Sequence, residues 1–358
     1  MKPEFTRALI KWNQRQNDRK MPWKGEKDPY KIWLSEIILQ QTRVEQGWAY
    51  YEKFIIAFPT IRDLAKAPDE KVYKLWEGLG YYSRCKNLLA TARLIVKDYK
   101  AVFPSDYEEI KKLKGIGPYT AAAISSFAFN EPYAVVDGNV QRIIARYFGI
   151  STPVNSTAGK KLFILLAQTL LDKKMPGIYN QAIMDFGAVI CKPQNPLCTQ
   201  CVQRKECMAY ELDEVKAIPV KEKSIVKRDR WFYYYLIVFN NKLYVRKRTQ
   251  KDIWQNLYEF VLEETKSPVS HSLHSPGMLK KLVGKQPFTI VSVSKIYRQQ
   301  LSHQFINGQF FVVTIKKELS GLMEYTLMEK KKLKQLAFPA VINKYLQSQP
   351  DSLTFLHG

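Results

Sequence analysis

Four of the chain's five cysteines, Cys191, Cys198, Cys201 and Cys207, fall within 17 residues at the spacing C-x6-C-x2-C-x5-C, with no histidine among them. Thiols this close either pair as disulfides or gather around a metal centre. The opening stretch, MKPEFTRALIKWNQRQNDRK, has no apolar core followed by small residues, so it does not read as a secretory signal. A reducing compartment then disfavours disulfides. Four thiolates suit a zinc ion or an iron–sulfur cluster, and spacing alone leaves those two open.

A length of 358 residues allows two domains, each with its own core. The strongest apolar stretches, Ile32–Leu39 and Leu162–Leu171, are too short and too interrupted to span a bilayer, which predicts a soluble, cytoplasmic protein, nucleoid-associated if bacterial. Lys and Arg outnumber Asp and Glu by 56 to 33, a formal charge of +23. Such an excess concentrates polyanions and supports sequence-independent phosphate binding. With no basic amphipathic anchor or polybasic tail, nucleic acid is the expected partner, not a membrane.

Residues 1–210 read as almost wholly helical. Asp28-Pro29 opens a helix in which Trp33/Ile37 and Leu34/Ile38 recur at i, i+4. Further helical patterns cover about 44–57, 69–78, 84–99, 118–129, 138–147, 158–171 and 179–190. A charged segment, 211–228, reads as a linker. From 229 to 358 the texture turns strand-like at Trp231–Phe239, Lys242–Arg248, Phe288–Tyr297 and Phe310–Lys316, with helices expected at Met278–Val283 and Phe338–Leu346. Asn240-Asn241 and Asn307-Gly308 lie between apolar runs and predict hairpin turns. The expected fold class is a mainly α domain followed by an α+β domain.

LKGIGPYTAAAI is a Gly-rich turn feeding a helix that starts at Pro118. Gly115 and Gly117 let the backbone turn tightly, and the N–H groups there, beside Lys114, can hold a phosphate. In a strongly basic helical chain this reads as a helix-hairpin-helix gripping a DNA backbone. Downstream, AVVDGNVQRIIAR places Asp137 at a helix N-terminus. There a carboxylate caps the helix, and the dipole and backbone donors favour its anion. Glu36, in KIWLSEIILQQTRV, has Ile32, Trp33 and Leu39 as helical neighbours. Helical glutamates are usually solvated, but desolvation on an apolar stripe raises the pKa and holds the proton. One carboxyl pushed up and another pushed down is the pattern of a general acid paired with a cation-stabilising anion.

Taken in order, LSEIILQQTRV, WEGLGYYSR, LKGIGPYT, VDGNV and the cysteine cluster resemble the MutY-type adenine DNA glycosylases of the helix-hairpin-helix, endonuclease III-like superfamily. Residues 1–210 carry the resemblance densely, and 229–358 resemble the family's Nudix-like C-terminal domain more loosely. The resemblance implies a [4Fe–4S] cluster on the four cysteines. It also implies a monomer that hydrolyses the N-glycosidic bond of adenine mispaired with 8-oxoguanine, or guanine, in double-stranded DNA. On the family pattern Glu36 protonates the flipped adenine, and Asp137 stabilises the oxocarbenium-like sugar. Tyr119 stands where bifunctional relatives carry the Schiff-base lysine, which implies a monofunctional enzyme in which Tyr119 supports the site. Arg19, Trp23, Leu39 and Gln181 match adenine-pocket positions. Gln41, Thr42, Leu79 and Tyr81 match residues that probe and wedge around the opposing 8-oxoguanine.

The second domain lacks a G-x5-E-x7-R-E-x2-E-E Nudix box, so it is expected to bind, not to catalyse. KDIWQNLYEF resembles the family's segment after the first hairpin. Leu301-Ser302-His303 falls where the family usually has Phe-Ser-His, a loop that contacts 8-oxoguanine. Leu301 departs from that pattern and leaves Ser302 and His303 as the polar readers. Two rivals remain: an endonuclease III-like pyrimidine-lesion glycosylase/AP lyase, opposed by Tyr119 and the extra domain, and a non-catalytic, zinc-stapled DNA-binding protein. Colour separates the last from an iron–sulfur enzyme.

Overall fold

The computed structural model describes residues 2–222, 227–269, 277–284, 286–319 and 321–348. The expected linker, 211–228, thus includes four residues, 223–226, outside the described ones. Two compact units emerge: residues 1–66 with 86–224, and residues 67–85 with 225–358.

The first unit opens with α1 (Lys2–Gln16), α2 (Pro29–Leu39), α3 (Val44–Ala57) and α4 (Ile61–Lys66). Asp28 caps α2 by accepting from the Tyr30 N–H, and Pro29 takes the first helical position, where no amide hydrogen is needed. Every residue of α2 from Ile32 to Ile38 is buried, so the helix is enclosed on all sides and not merely along a stripe. α1 was not among the helical patterns, because its apolar residues are scattered through a polar sequence. Phe5, Leu9 and Trp12 nonetheless join one core with Ile143, Ile144, Phe163 and Phe186.

α5 (Asp69–Trp76) belongs to the second unit, and α6 (Tyr82–Asp98) begins there. α7 (Tyr107–Lys112) and α8 (Pro118–Phe129) are joined by the Gly-rich turn. Gly115 has φ +80°, and a Cβ there would lie 2.6 Å from Cβ of Asn87, so only glycine fits. Gly117 differs: its φ is −94° and a Cβ would meet nothing within 4 Å. α9 (Gly138–Phe148), α10 (Thr157–Leu170), α11 (Pro176–Val189) and the short α12 (Met208–Glu211) complete the unit.

The second unit is a mixed sheet of β1 (Arg228–Phe239), β2 (Lys242–Lys247), β3 (Tyr258–Thr265), β4 (Phe288–Val293), β5 (Tyr297–Gln300), β6 (Gln304–Ile315) and β7 (Thr326–Glu329). The order is β4-β6-β1-β3-β2-β7, with β5 also on β6, and β1 and β6 run parallel. Asn240 and Asn241, at φ 45° and 59°, make the tight turn between β1 and β2. Asn307-Gly308 does not turn. Both residues lie inside β6, opposite Trp231 and Phe232 of β1. The glycine is there for clearance, since a Cβ would stand 2.9 Å from Cγ2 of Val341, and Asn307 donates to Asp229 at 2.9 Å. β3 escaped the sequence pattern because it carries three glutamates. Glu259, fully buried, is neutralised by Arg246 at 2.9 Å and Arg248 at 2.5 Å.

Candidate active site

Burial of α2 puts one carboxyl, Glu36, inside the first unit with 6% of its surface exposed. It borders a pocket of about 360 Å³ whose lining also includes Tyr119 from α8, Asp137 at the start of α9, Arg19, Trp23, Leu39, Thr42 and Gln181. Sites that enclose a small molecule run from about 300 to 1,000 Å³, so the space can take a small ligand.

The Tyr119 hydroxyl donates to Oε2 of Glu36 at 2.7 Å. Burial pushes the Glu36 carboxyl up to about 7; the Tyr119 hydrogen bond opposes that rise, and the charge of Asp137 adds to it. A carboxyl so placed carries a transferable proton near neutral pH. Asp137 accepts from the Val140 N–H and from Nδ2 of Asn139, each at 2.7 Å. Its expected downward shift is not found. Burial outweighs those donors and raises this carboxyl as well. The two acids therefore share a direction, and what separates them is donor count: a tyrosine on one, a helix N-terminus on the other.

Sequence alone does not single out Asp185, on α11. Its side chain is fully buried and accepts from Arg19 at 2.7 Å, Asn17 at 2.8 Å and Gln181 at 3.0 Å, with Lys24 at 3.1 Å. It thus fixes two of the predicted pocket residues at once. The only available signal was its position four residues after Gln181 on one helix face. Asp185→Ala would leave cations facing a buried gap and is expected to cost about 3–5 kcal/mol of stability, read by denaturant unfolding. A loss under ~1 kcal/mol would mean that solvent already screens these pairs.

The residues expected around the opposing base fall in two places. Thr42 lines the pocket, and Gln41, exposed, has φ 58° at the end of α2. In the second unit Leu79 is buried, while Tyr81 is 46% exposed and its hydroxyl lies 2.5 Å from that of Ser302. His303 is exposed, and its carbonyl accepts from the Arg228 N–H. Lys114 is exposed too, its carbonyl accepting from the Thr91 hydroxyl at 2.7 Å.

Cys191 follows α11, Cys198 opens a 3₁₀ turn, and Cys207 precedes α12. Cys191, Cys201 and Cys207 pack against the core that holds α9. Arg146 donates to Sγ of Cys191 at 3.5 Å and to the Lys192 carbonyl at 2.7 Å, while Arg142 donates to the Cys191 carbonyl at 2.8 Å. Burial raises Cys198, Cys201 (to about 12) and Cys207, and the charges of neighbouring cysteines raise each further. Among the described residues no group of three or more His, Cys, Asp or Glu side chains is arranged to hold a metal ion. Nor, among those residues, is any helix long and apolar enough to cross a membrane.

Known proteins bear on this geometry. Residues 34–163 match the HhH-GPD superfamily base excision DNA repair protein family, and residues 233–348 match the NUDIX domain family. The adenine DNA glycosylase of Buchnera aphidicola subsp. Schizaphis graminum is 36% identical over 264 residues, which cover 73% of this chain and 76% of that protein. The human adenine DNA glycosylase is 40% identical over 216 residues, 58% of this chain and 39% of that one. Among solved structures, a thermostable thymine-DNA glycosylase superposes with TM-score 0.55 at 32% identity, covering 59% of this chain and 97% of its own. A non-covalent endonuclease III–DNA complex, at 20% identity and TM-score 0.50, shares the fold over 60% of this chain and 98% of that one. An identity of 36% carried across 76% of a relative's length supports one assignment: the chain belongs to the adenine DNA glycosylase family, base excision repair enzymes that hydrolyse N-glycosyl bonds.

Proposed function

We propose that this glycosylase removes adenine mispaired with 8-oxoguanine, or with guanine, from double-stranded DNA and leaves the strand intact. The observation that carries the reading is the buried Glu36 carboxyl, at about 7, hydrogen-bonded to Tyr119 in a pocket that can take a small ligand. Adenine flipped into that pocket would take the Glu36 proton on a ring nitrogen, making the base a better leaving group. The Asp137 carboxylate would offset positive charge growing on the sugar, and water would complete hydrolysis. Arg19, Trp23, Leu39 and Gln181 would frame the base. Tyr119 has no amine with which to form a Schiff base, so strand cleavage is not expected. Lys114, Gly115 and Gly117 would hold the DNA backbone. The test is incubation with duplexes carrying A opposite 8-oxoguanine, A opposite G, and thymine glycol, each analysed with and without alkali. Alkali-dependent breakage of the first two supports the proposal; breakage without alkali, or excision of thymine glycol, overturns it.

The same reading gives residues 229–358 the task of recognising the lesion, with Gln41, Thr42, Leu79 and Tyr81 probing around the opposing base. Ser302 and His303 would read the N7–C8 edge, where 8-oxoguanine offers an N–H donor and guanine an acceptor. Ser302 is exposed and already engaged in a hydroxyl contact, which suits a side chain that can exchange partners on binding. Losing two such bonds at about 0.5–1.5 kcal/mol each predicts that Ser302→Ala with His303→Ala lowers the preference for A opposite 8-oxoguanine over A opposite G roughly tenfold. Equal losses on both substrates would reduce this loop to scaffolding.

The four cysteines would hold a [4Fe–4S] cluster. A donor set of four thiols in one short loop, three of them packed against the core and no histidine among them, fits a centre that takes thiolates alone. Such a centre would take the four thiols as thiolates, with release of their protons, and staple the loop between α11 and α12. Purified protein should be yellow-brown with about four irons per chain, and Cys198→Ala or Cys201→Ala should lose DNA affinity or solubility first. Colourless protein carrying stoichiometric zinc after anaerobic preparation would reject the cluster.

A further inference from the structure

WEGLGYYSR supplies Leu79 and Tyr81 to the reading above, but its last residue has no part in it. Arg84 is buried, 9% exposed, with its guanidinium carbon 5.3 Å from the Trp76 ring centroid and 5.4 Å from that of Tyr81. Its Nη2 donates to the carbonyls of Leu79 at 3.4 Å and Gly80 at 3.3 Å. Nε1 of Trp76 donates to the same Gly80 carbonyl at 3.1 Å, and the Tyr82 hydroxyl accepts from the Gly78 N–H at 3.2 Å. Burial lowers the Arg84 pKa to about 10, which leaves it charged at neutral pH.

The turn gathered this way is one the backbone would not keep alone. Gly78 and Gly80 have φ 96° and 74°, and Tyr81, which carries a large side chain, has φ 47°. The turn is tied at both ends within the same unit. Glu77 accepts from the Phe338 N–H at 2.7 Å, and the Tyr81 hydroxyl meets that of Ser302. A left-handed aromatic residue persists where its surroundings over-determine it, and here those surroundings centre on one guanidinium.

We propose that Arg84 is a positioning residue for the lesion probe: by cation–π contact with Trp76 and Tyr81 and donation to two turn carbonyls, it holds Tyr81 half-exposed and aimed before DNA arrives. A preset probe loses less freedom on binding, so the benefit appears as mispair affinity. The inference rests on the reading of Tyr81 as a probe of the opposing base.

The test compares wild type, Arg84→Lys, Tyr81→Ala and the double variant. It measures affinity for a duplex with cleavage-resistant 2′-fluoroadenosine opposite 8-oxoguanine against a fully matched duplex. Lysine keeps the charge but loses the planar fork and its stacking. Arg84→Lys is expected to cut the mispair preference about tenfold, but less than about twofold when Tyr81 is already alanine. A tenfold loss in both backgrounds, or none in either, overturns the role assigned to Arg84 while leaving Tyr81 as a probe. An unchanged preference in Tyr81→Ala removes the probe reading, and the Arg84 inference falls with it. If Arg84→Lys proves too unstable to assay, Arg84→Met, which keeps the apolar stem, takes its place in the same cycle with the same expectations.

Discussion

Glu36→Gln is expected to slow adenine release by about 10²–10⁴, the usual worth of a positioned general acid, while binding the mispaired duplex nearly as tightly as wild type. The amide has the shape of the acid and can still accept from the Tyr119 hydroxyl, now 2.7 Å from Oε2, so the pocket should survive. What it cannot do is deliver a proton. Because the acid must be protonated and burial sets its pKa at about 7, wild-type activity should hold below that pH and fall above it. The same shift has a consequence for stability. The folded pKa lies above the ordinary value of 4.5, so stability is full below 4.5 and declines as the pH rises through about 7. Glu36→Gln removes that dependence, and it should exceed wild type by on the order of 2–3 kcal/mol at alkaline pH yet match it near pH 4. Denaturant titrations at both pH values check this. A variant less stable than wild type under alkaline conditions would make Glu36 structural.

How much of this was legible depended on whether a residue's role was local. Glu36 stands out because a carboxyl among Ile32, Trp33 and Leu39 is chemically out of place, and the structure buries it at the edge of the pocket. The helix boundaries near Asp28-Pro29 and Pro118 follow from capping chemistry that acts within four residues. Asp185 could not be seen, because its partners Asn17, Arg19 and Lys24 lie more than 150 residues away along the chain. Asn307-Gly308 misled for a related reason. The dipeptide is a turn signal locally, but the clearance that requires glycine comes from Val341, on a helix the strand meets only in the folded chain. Asp137 was half legible: its capping role was local, whereas the burial that reverses its pKa shift is a property of the whole pocket.

Asp137→Asn is the other substitution expected to be nearly lethal to catalysis, at about 10²–10³ in the rate of base release. Asparagine caps helices as well as aspartate does, and its oxygen can still accept from the Val140 N–H, so α9 should keep its start. The negative charge is lost, and with it the acceptor for Nδ2 of Asn139. Affinity for DNA, itself a polyanion, should therefore hold or rise slightly, which separates this outcome from a collapsed site. A second readout comes from the coupling between the acids. The Asp137 charge is one of the causes that raise Glu36, so the variant's residual activity should begin its alkaline decline at a lower pH than wild type. A mere cap would leave both the rate and that decline where they were. A lost rate with an unmoved decline would mean that the two carboxyls do not sense each other, and the paired-acid mechanism would need another partner for Glu36.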